Sequence, residues 1–268
     1  MKAVKTMRPF SERIPSAWSQ GTRCKIIPPV SNDQEMFEDE YFYFGILRGS
    51  GDMMKRSIAN GWDYYFCDHA YFNAGHDGHN PWYRITKNGH TNSAFQERPS
   101  HRYEQYFKQD LSPWRTNGQH ILVCPPTGAI EWFFDAQEWL NTTVKTLNQC
   151  TNREIIVRDK PMDPQVATQA GITQIVGFNK IEDQKPLEED LQNAHCVVTF
   201  NSMVSVKAIC MGIPVICGPE CAAYPIANKI ADVDNLKHFD REPWLHHLSY
   251  AQFTLEEMAS GFAYETIK

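Results

Sequence analysis

The chain has 268 residues, of which 42% are hydrophobic and 22% charged, a composition that suits one large globular domain or two smaller ones. Its net charge of −6 argues against a protein whose main task is to coat nucleic acid, although it leaves room for a local basic groove. The sequence has no run of about 20 apolar residues and no readable signal peptide, so it predicts a cytosolic protein without a membrane span.

Residues 1–35 contain four prolines and show little periodicity, which predicts an irregular arm with at most one short strand. Up to Lys25 this arm carries six Lys and Arg residues against a single acid, Glu12. A basic arm of this kind could follow a phosphate backbone, or it could serve only to keep the terminus in solution.

Residues 36–118 predict a first Rossmann-like domain. Residues 41–47 form an apolar run, 48–51 a glycine turn, 52–60 a short helix and 63–67 a second buried strand. This order is that of a βαβ unit, and unbroken apolar strands favour a parallel sheet covered on both faces. The rest of the domain, from residue 72, is rich in Asn, Gly, His and Arg and predicts a long loop. Within it, residues 82–86 suit either a surface that stacks on a sugar or base or an ordinary edge strand.

Residues 119–240 predict a second Rossmann-like domain, followed by a helical segment over 241–268. The expected strands cover residues 120–124, 154–158, 172–176, 195–200 and 213–217. Helices are expected over 132–150 and 186–193, and the buried face of the first would hold Phe133, Ala136, Leu140 and Val144. The predicted fold class is therefore α/β, with two Rossmann-like domains facing a cleft in which a ligand would lie at the carboxyl ends of the strands.

Polar residues with phosphate-binding chemistry follow two strands of the second domain. Thr199, Asn201 and Ser202 end a buried strand and open a helix, whose free N–H groups and positive dipole favour an anion. The plainer interpretation is that Asn201 or Ser202 caps this helix. Arg158 and Lys160 follow another strand, where they suit a diphosphate unless both simply face solvent.

Residues 197–215 resemble the donor-site signature of GT-B glycosyltransferases, especially those of bacterial capsule synthesis and their relatives in bacteriophage genomes. The matching residues are Val197-Val198-Thr199, Asn201-Ser202, Ala208 and Gly212-Ile213-Pro214-Val215. Lys207 replaces the acidic residue that holds the donor's ribose in many relatives, and could instead meet a phosphate or a base. Residues 241–244 and 248–261 resemble the closing segment of the same family, whose final helices cross back onto the N-terminal domain.

The resemblance extends over roughly residues 40–265 and implies a metal-independent glycosyltransferase that needs no cofactor beyond a nucleotide-sugar donor. An inverting reaction is expected, and a retaining reaction, in which Asp68 would need another role, is the alternative. The resemblance places the donor in the domain over 119–240 and the acceptor in the domain over 36–118. The expected donor-binding residues are Arg158, Lys160, Thr199, Asn201, Ser202, Ser205 and Lys207.

Asp68 and His69 are the candidate catalytic residues, because they should emerge at the carboxyl end of a buried strand. An inverting enzyme needs a general base for the acceptor hydroxyl, and Asp68 is the first candidate. His69 would either orient Asp68 or act as the base in its place. The alternative is that Asp68 only caps the next turn. The expected acceptor- or phosphate-binding residues are Arg48, Gly49, Ser50, Gly51, Tyr71 and Arg84.

Two further patterns suggest metal sites that we do not expect. His76, Asp77 and His79 lie close together in a polar loop, but GT-B enzymes generally lack a metal-holding DxD motif, and none stands out here. Cys217 and Cys221 form a CxxxC pair with no second pair nearby, which argues against structural zinc. The eight cysteines are expected to be free thiols.

The sequence allows more than one acceptor and more than one class of function. Aromatic residues in the N-terminal half, the basic arm and the phage resemblance suggest a hydroxylated or hydroxymethylated pyrimidine in phage DNA, flipped out of the stack to reach Asp68 in the host cytoplasm. A cell-surface glycan is the alternative acceptor. Competing functions are a sugar-nucleotide epimerase of the same fold, and a non-catalytic sugar-nucleotide-binding protein that would keep Arg158, Asn201 and Ser202 without depending on Asp68.

Overall fold

A computed structural model describes residues 1–6, 11–47, 49–72, 82–160 and 186–268. The chain divides into two compact units. Unit 1 comprises Met1–Asn92, Glu97–Phe107 and Leu245–Lys268, and unit 2 comprises Ser93–Gln96 and Lys108–Trp244. The predicted strand over 172–176 and the residues Arg48, His76, Asp77 and His79 lie outside the described residues. No helix within the described ranges is long and apolar enough to cross a membrane.

The secondary structure alternates between strands and helices along most of the chain. In chain order the elements are β1 (Lys2–Val4), α1 (Arg13–Thr22), β2 (Lys25–Ile27), β3 (Tyr41–Phe44), α2 (Ser50–Asn60), β4 (Tyr64–His69), β5 (Tyr83–Lys87), α3 (His101–Tyr106), β6 (His120–Cys124), α4 (Gly128–Phe134), α5 (Trp139–Cys150), β7 (Glu154–Val157), α6 (Leu187–Gln192), β8 (Ala194–Thr199), α7 (Val204–Cys210), β9 (Val215–Ile216), α8 (Glu242–Ser249), β10 (Gln252–Phe253), α9 (Leu255–Ala259) and α10 (Phe262–Ile267). The predicted α/β class is confirmed.

Unit 1 is built on a six-stranded sheet in the order β10-β5-β4-β3-β1-β2. The strands β2, β1, β3 and β4 run parallel to one another, and for β3 and β4 this is what their apolar runs predicted. Strand β5 is antiparallel to both of its neighbours, β4 and β10. The sheet is therefore mixed. The register of β4 against β5 sets Asp68 directly opposite Arg84.

The predicted irregular arm over 1–35 is instead part of the unit 1 core. Strand β1 lies between β3 and β2, and α1 buries Trp18 completely, with its ring stacked on Phe42 at 4.5 Å between centroids. Pro15 does not interrupt α1, because it occupies the first helical turn, where its missing N–H would have no partner. Two lysines of this segment are ion-paired, Lys5 with Glu12 at 3.1 Å and Lys2 with Asp39 at 3.3 Å.

The C-terminal segment Leu245–Lys268 belongs to unit 1. Its strand β10 pairs with β5, so the tail is not wholly helical as predicted. Met258 of α9 is fully buried beside Trp18, and a Cβ atom added at Gly21 of α1 would lie 2.0 Å from the Met258 carbonyl oxygen. Only glycine permits this close approach of α1 to the C-terminal segment.

Unit 2 contains a four-stranded parallel sheet in the order β7-β6-β8-β9. The chain leaves β6 toward β7 on one side and continues through β8 and β9 on the other. The strand order therefore reverses between β6 and β8, and in open α/β sheets ligands bind at the carboxyl ends of strands at such a point. All four strands were predicted, to within about two residues at each end.

The single helix predicted over 132–150 is two helices, and the difference changes which face is buried. Helix α4 ends at Phe134 and is followed by Asp135, a non-glycine residue with φ of 54°, and α5 begins at Trp139. This break resets the helical phase, so Thr143 and Leu147 are the buried residues of α5. Leu140 and Val144, which were expected on the buried face, are only partly buried.

Candidate functional site

The first cluster of candidate residues lies in unit 1, around the carboxyl end of β4. Asp68 is half-buried, and its Oδ2 accepts a hydrogen bond from Arg84 Nη2 at 3.0 Å. Its Oδ1 accepts from the backbone N–H of His69 at 2.8 Å. The side chain of Asp68 keeps 30% of its surface exposed, against 5% for Arg84. Asp68 is therefore an ion-paired carboxylate with one side open to solvent.

Arg84 is buried beneath Asp68 rather than presented to a ligand. Its guanidinium carbon lies 5.4 Å from the centre of the Tyr71 ring and 6.0 Å from that of Phe66, so aromatic faces hold the cation in place. Tyr71 is itself buried, and its hydroxyl donates to Asn92 Oδ1 at 2.7 Å. Both residues were predicted to bind acceptor or phosphate, and both have structural partners.

Electrostatics in this cluster keep Asp68 ionised. Burial would raise the pKa of Asp68, but Arg84, followed by His69 and His90, lowers it below its usual value. Burial, and then the nearby Arg84, lowers the pKa of His90 to about 3, so this ring is neutral at neutral pH. His69 is exposed beside Asp68. An exposed imidazole next to an ionised carboxylate can accept a proton from a hydroxyl.

The glycine turn of unit 1 opens helix α2. Gly49 has φ of 90°, a conformation that glycine adopts without strain. The Ser50 hydroxyl donates to the carbonyl oxygens of Gly45 and Leu47, both at 2.8 Å, and Ser50 and Gly51 are buried. The Ser50 side chain is thus used to close the turn.

The second cluster lies in unit 2, where β8 ends beside β6. Thr199 Oγ1 donates to the carbonyl oxygen of Cys124 at 2.7 Å and so joins the ends of the two strands. Ser202 Oγ accepts from the Val204 N–H at 3.3 Å, whereas the residue at the N-cap of α7 is Met203, which makes no side-chain capping bond. Ser205 Oγ donates to the Ser202 carbonyl oxygen at 2.8 Å. The Asn201 side chain is half-buried and makes no hydrogen bond to another described residue.

Two of the predicted phosphate-binding cations are ion-paired with acids of α6. Arg158 pairs with Asp190, and both side chains are largely buried, with 13% and 18% of their surfaces exposed. Lys207 pairs with Glu188 on the protein surface. No local sequence pattern indicated either acid, because their partners lie on other elements. A phosphate at either cation would have to replace a carboxylate, while Lys160 is exposed.

Unit 2 also contains a cavity of about 460 Å³ that no sequence pattern indicated. It is lined by the start of α5, the carboxyl ends of β8 and β9, and residues 224–230. Its volume falls within the range of small-molecule sites. Thr199 belongs both to its lining and to the turn at Asn201, so the cavity adjoins the predicted donor site.

No metal centre is present among the residues that the structure describes. Within them, no group of three or more His, Cys, Asp or Glu side chains is placed to hold an ion. Cys217 and Cys221 are free thiols.

Comparison with known proteins gives matches in structure but not in sequence. No protein-family model matches the chain, and no curated protein matches it in sequence. A solved structure of KpsC from Thermosulfurimonas dismutans, described as a beta Kdo 2,7 transferase, aligns with a TM-score of 0.52 and 13% identity over 98% of this chain and 99% of that chain. A second structure from that organism, described as KpsC, beta Kdo 2,4 transferase, aligns with a TM-score of 0.50 and 10% identity over 94% of this chain and 91% of that chain. The protein therefore has a fold similar to that of these two transferases.

Proposed function

We propose that the protein is a GT-B glycosyltransferase that moves a sugar from a nucleotide-sugar donor to a hydroxyl acceptor. The observation that carries this proposal is the likeness to a transferase structure over 98% of the chain. The donor-site signature in residues 197–215, which was identified independently from sequence, supports it. The division into two α/β units, with Leu245–Lys268 returning to unit 1, supports the GT-B type.

We assign donor binding to unit 2. Asn201 is the first candidate for a direct contact, because its side chain has no other partner among the described residues and lies where the strand order reverses. Thr199, Ser202 and Ser205 shape the turn through their hydrogen bonds to one another and to β6. Arg158 and Lys207 would meet the donor phosphates by exchanging their carboxylate partners, with Lys160 adding charge.

We assign proton removal to His69 and Asp68 of unit 1. The lowered pKa of Asp68 makes its carboxylate a weak base, which favours the exchanged role: His69 takes the proton and Asp68 stabilises the imidazolium that forms. The acceptor oxygen then attacks the anomeric carbon. The bond from that carbon to the donor phosphate breaks, and the phosphate leaves with the electron pair. A single displacement of this kind inverts the anomeric configuration and needs no metal ion.

We propose two candidate acceptors, a glycan hydroxyl and a modified DNA base. The hydroxylated pyrimidine of phage DNA rested partly on a flexible basic arm, and the folded β1, α1 and β2 remove that argument. The similar structures are described as transferases of Kdo, a description that favours a glycan acceptor. We therefore rank a glycan hydroxyl first and a modified DNA base second.

The experiment is a donor and acceptor panel. Purified protein is incubated with nucleoside mono- and diphosphate sugars and with oligosaccharides, hydroxymethylated DNA or unmodified DNA, and the products are identified by mass spectrometry. We expect a sugar-sized mass gain on one acceptor, lost in His69→Gln and Asp68→Asn, with an inverted anomeric centre by NMR. Retained configuration would rule out the single displacement. Neither transfer nor donor hydrolysis with any donor would favour the non-catalytic binding protein.

A further inference from the structure

Arg13 is a cation of the N-terminal segment that lies beside the proposed catalytic histidine of unit 1. It is the first residue of α1, it is exposed, and its Nη2 donates a hydrogen bond to the hydroxyl of Tyr83 at 3.1 Å. Tyr83 is the first residue of β5, 70 positions further along the chain. This contact therefore connects the start of α1 with the start of β5, which the basic composition of the segment did not indicate.

Tyr83 is also the cross-strand partner of His69. The two residues lie directly opposite each other in the antiparallel pairing of β4 and β5. Opposite residues project from the same face of a sheet, with Cβ atoms about 4.5–5.5 Å apart. The ring of Phe44 packs edge-on against both residues, with its centre 6.2 Å from that of the Tyr83 ring and 6.4 Å from that of the His69 ring. His69 and Arg13 are thus separated by no more than one tyrosine side chain and the contacts at its two ends.

Arg13 is held in place before any ligand binds. Ile14 and Trp18 of α1 are fully buried in the unit 1 core, and Tyr83 belongs to the same core with 5% of its surface exposed. This packing fixes both the backbone at Arg13 and the hydroxyl that its side chain contacts. A cation that is already positioned loses less conformational entropy when a ligand binds than a flexible one does.

The chemistry of Arg13 suits an anionic ligand. A guanidinium group has five N–H donors in a planar fork, so Arg13 can keep its hydrogen bond to Tyr83 while it binds a further group. That fork matches the geometry of a carboxylate or a phosphate, which arginine binds in a bidentate manner. The neighbouring acid, Glu12, pairs with Lys5 at 3.1 Å. Arg13 can therefore bind a charged group of a ligand whose hydroxyl lies at His69.

We propose that Arg13 binds an anionic group of the acceptor, a carboxylate or a phosphate carried by a glycan, and so positions the acceptor hydroxyl at His69. Arg13 thereby makes the protein select acidic over neutral glycans. The link to His69 rests on the proposed function, in which that residue takes the proton. Because Tyr83 adjoins both Arg13 and His69, the charged group and the reacting hydroxyl can belong to the same sugar or to neighbouring sugars.

The test compares acidic and neutral forms of one glycan as ligands of the full-length protein, measured by calorimetry. The probes are an oligosaccharide that ends in a hexuronic acid, its carboxyl-reduced neutral form, and the corresponding sugar phosphate. The form that the wild type prefers identifies the anionic group.

The expected preference follows from the exposure of Arg13. A hydrogen bond to a charged group corresponds to a factor of about 10–150 in affinity, and because Arg13 is exposed we expect about a tenfold preference for an acidic form. Arg13→Gln should abolish this preference, whereas Arg13→Lys should retain part of it, because lysine keeps the charge but not the planar fork. The matched control is Arg23→Gln, which removes the same charge at an exposed position just beyond the other end of α1 and should leave the preference unchanged.

The outcomes separate this site from the proposed function. Absence of binding, equal affinity of the wild type for acidic and neutral forms, or a preference that survives in Arg13→Gln would overturn the assignment, even where sugar transfer is observed. A preference that is lost in Arg13→Gln, without transfer to any acceptor, would support the anion site and reject the glycosyltransferase. Binding of DNA in preference to every glycan, lost in Arg13→Gln, would assign the anion to a nucleic acid and overturn the proposal.

Where transfer occurs, kinetics give a second readout. Arg13→Gln should lower kcat/KM for the acidic acceptor about tenfold, while kcat/KM for the neutral form and the rate of donor hydrolysis stay unchanged. An equal loss with both acceptors would indicate a general structural defect and would contradict a role in specificity.

Discussion

Replacing Arg102 should destabilise unit 1 more than breaking an exposed ion pair of that unit would. Arg102 is 5% exposed and donates to both carboxylate oxygens of Glu257 at 2.7 Å. It also donates to the carbonyl oxygens of Ser249 and Gln252, at 2.9 and 2.7 Å. Five aromatic rings have their centres within 6.0 Å of its guanidinium carbon, those of Trp82, Tyr106, Tyr250, Phe253 and Phe262. Arg102 therefore links α3 to the C-terminal segment of unit 1.

The expected loss for Arg102→Met follows from these contacts. Removing one partner of a buried ion pair costs about 3–5 kcal/mol, because the remaining charge is left without a counter-ion. Glu257 keeps 23% of its side chain exposed, so water can compensate part of the loss and about 3 kcal/mol is expected. For a unit of this size that corresponds to a fall in Tm of about 12 °C.

The assay is thermal and urea unfolding, combined with limited proteolysis of residues 245–268. Arg102→Met should lower the free energy of unfolding and make the C-terminal segment cleavable. The matched control is Lys5→Met, which breaks an exposed pair in the same unit with side chains 53% and 46% exposed, and should cost less than about 1 kcal/mol. A loss in Arg102→Met no larger than in the control would show that Arg102 does not anchor the C-terminal segment.

Three further predictions concern pH and packing. In Arg84→Met the pKa of Asp68 should rise, because the effect of burial is then opposed only by the weaker effects of His69 and His90. The acid limb of the pH profile of kcat/KM should therefore move to higher pH. An unmoved limb would argue against a catalytic role for Asp68. His90, with a pKa of about 3, should not titrate by NMR between about pH 5 and 8. Because the unfolded chain binds a proton near pH 6.5 that folded His90 does not, the free energy of unfolding should fall as pH drops from 6.5 toward 3, and His90→Gln should flatten that slope. Gly118→Ala would place a Cβ atom 2.1 Å from an α-carbon of β8 and should lower the free energy of urea unfolding by about 1–3 kcal/mol. The control is Gly128→Ala, whose added Cβ atom would have nothing within 4 Å and which should change that free energy by less than about 0.5 kcal/mol. Equal effects of the two substitutions would contradict the packing described.

The parts of the fold that could be predicted are those with a strong local pattern. The strands of unit 2 are unbroken apolar runs, and such runs identify buried parallel strands without knowledge of their neighbours. Strand β5 lies in a segment predicted mainly as a loop, with an edge strand over 82–86 as one alternative, because buried Arg84 interrupts its apolar pattern. Its burial is tolerated only because Asp68 lies opposite on β4. That pairing is a property of the register, which no local pattern contains.

The phase of α5 shows the same limit. The predicted helix over 132–150 runs through Asp135, whereas in the structure α4 ends at Phe134 and Asp135 takes a left-handed conformation. The buried face moved to Thr143 and Leu147, and a polar residue thereby came to line a cavity. Hydrophobic periodicity could not have identified Thr143 as a residue that lines the cavity, because the cavity is built from four separate elements.

Local sequence patterns were enough to predict the α/β class, the positions of the principal strands along the chain, and the location of Asp68 and Thr199 at strand ends. These follow from hydrophobicity and turn chemistry, which act over a few neighbouring residues. Which charges are already neutralised became visible in the folded chain alone. Arg158 and Asp190 are 32 positions apart in the chain, and Arg84 and Asp68 are 16 apart. Ion pairing depends on distance in space, and that distance is set by strand order and register rather than by neighbours in the sequence.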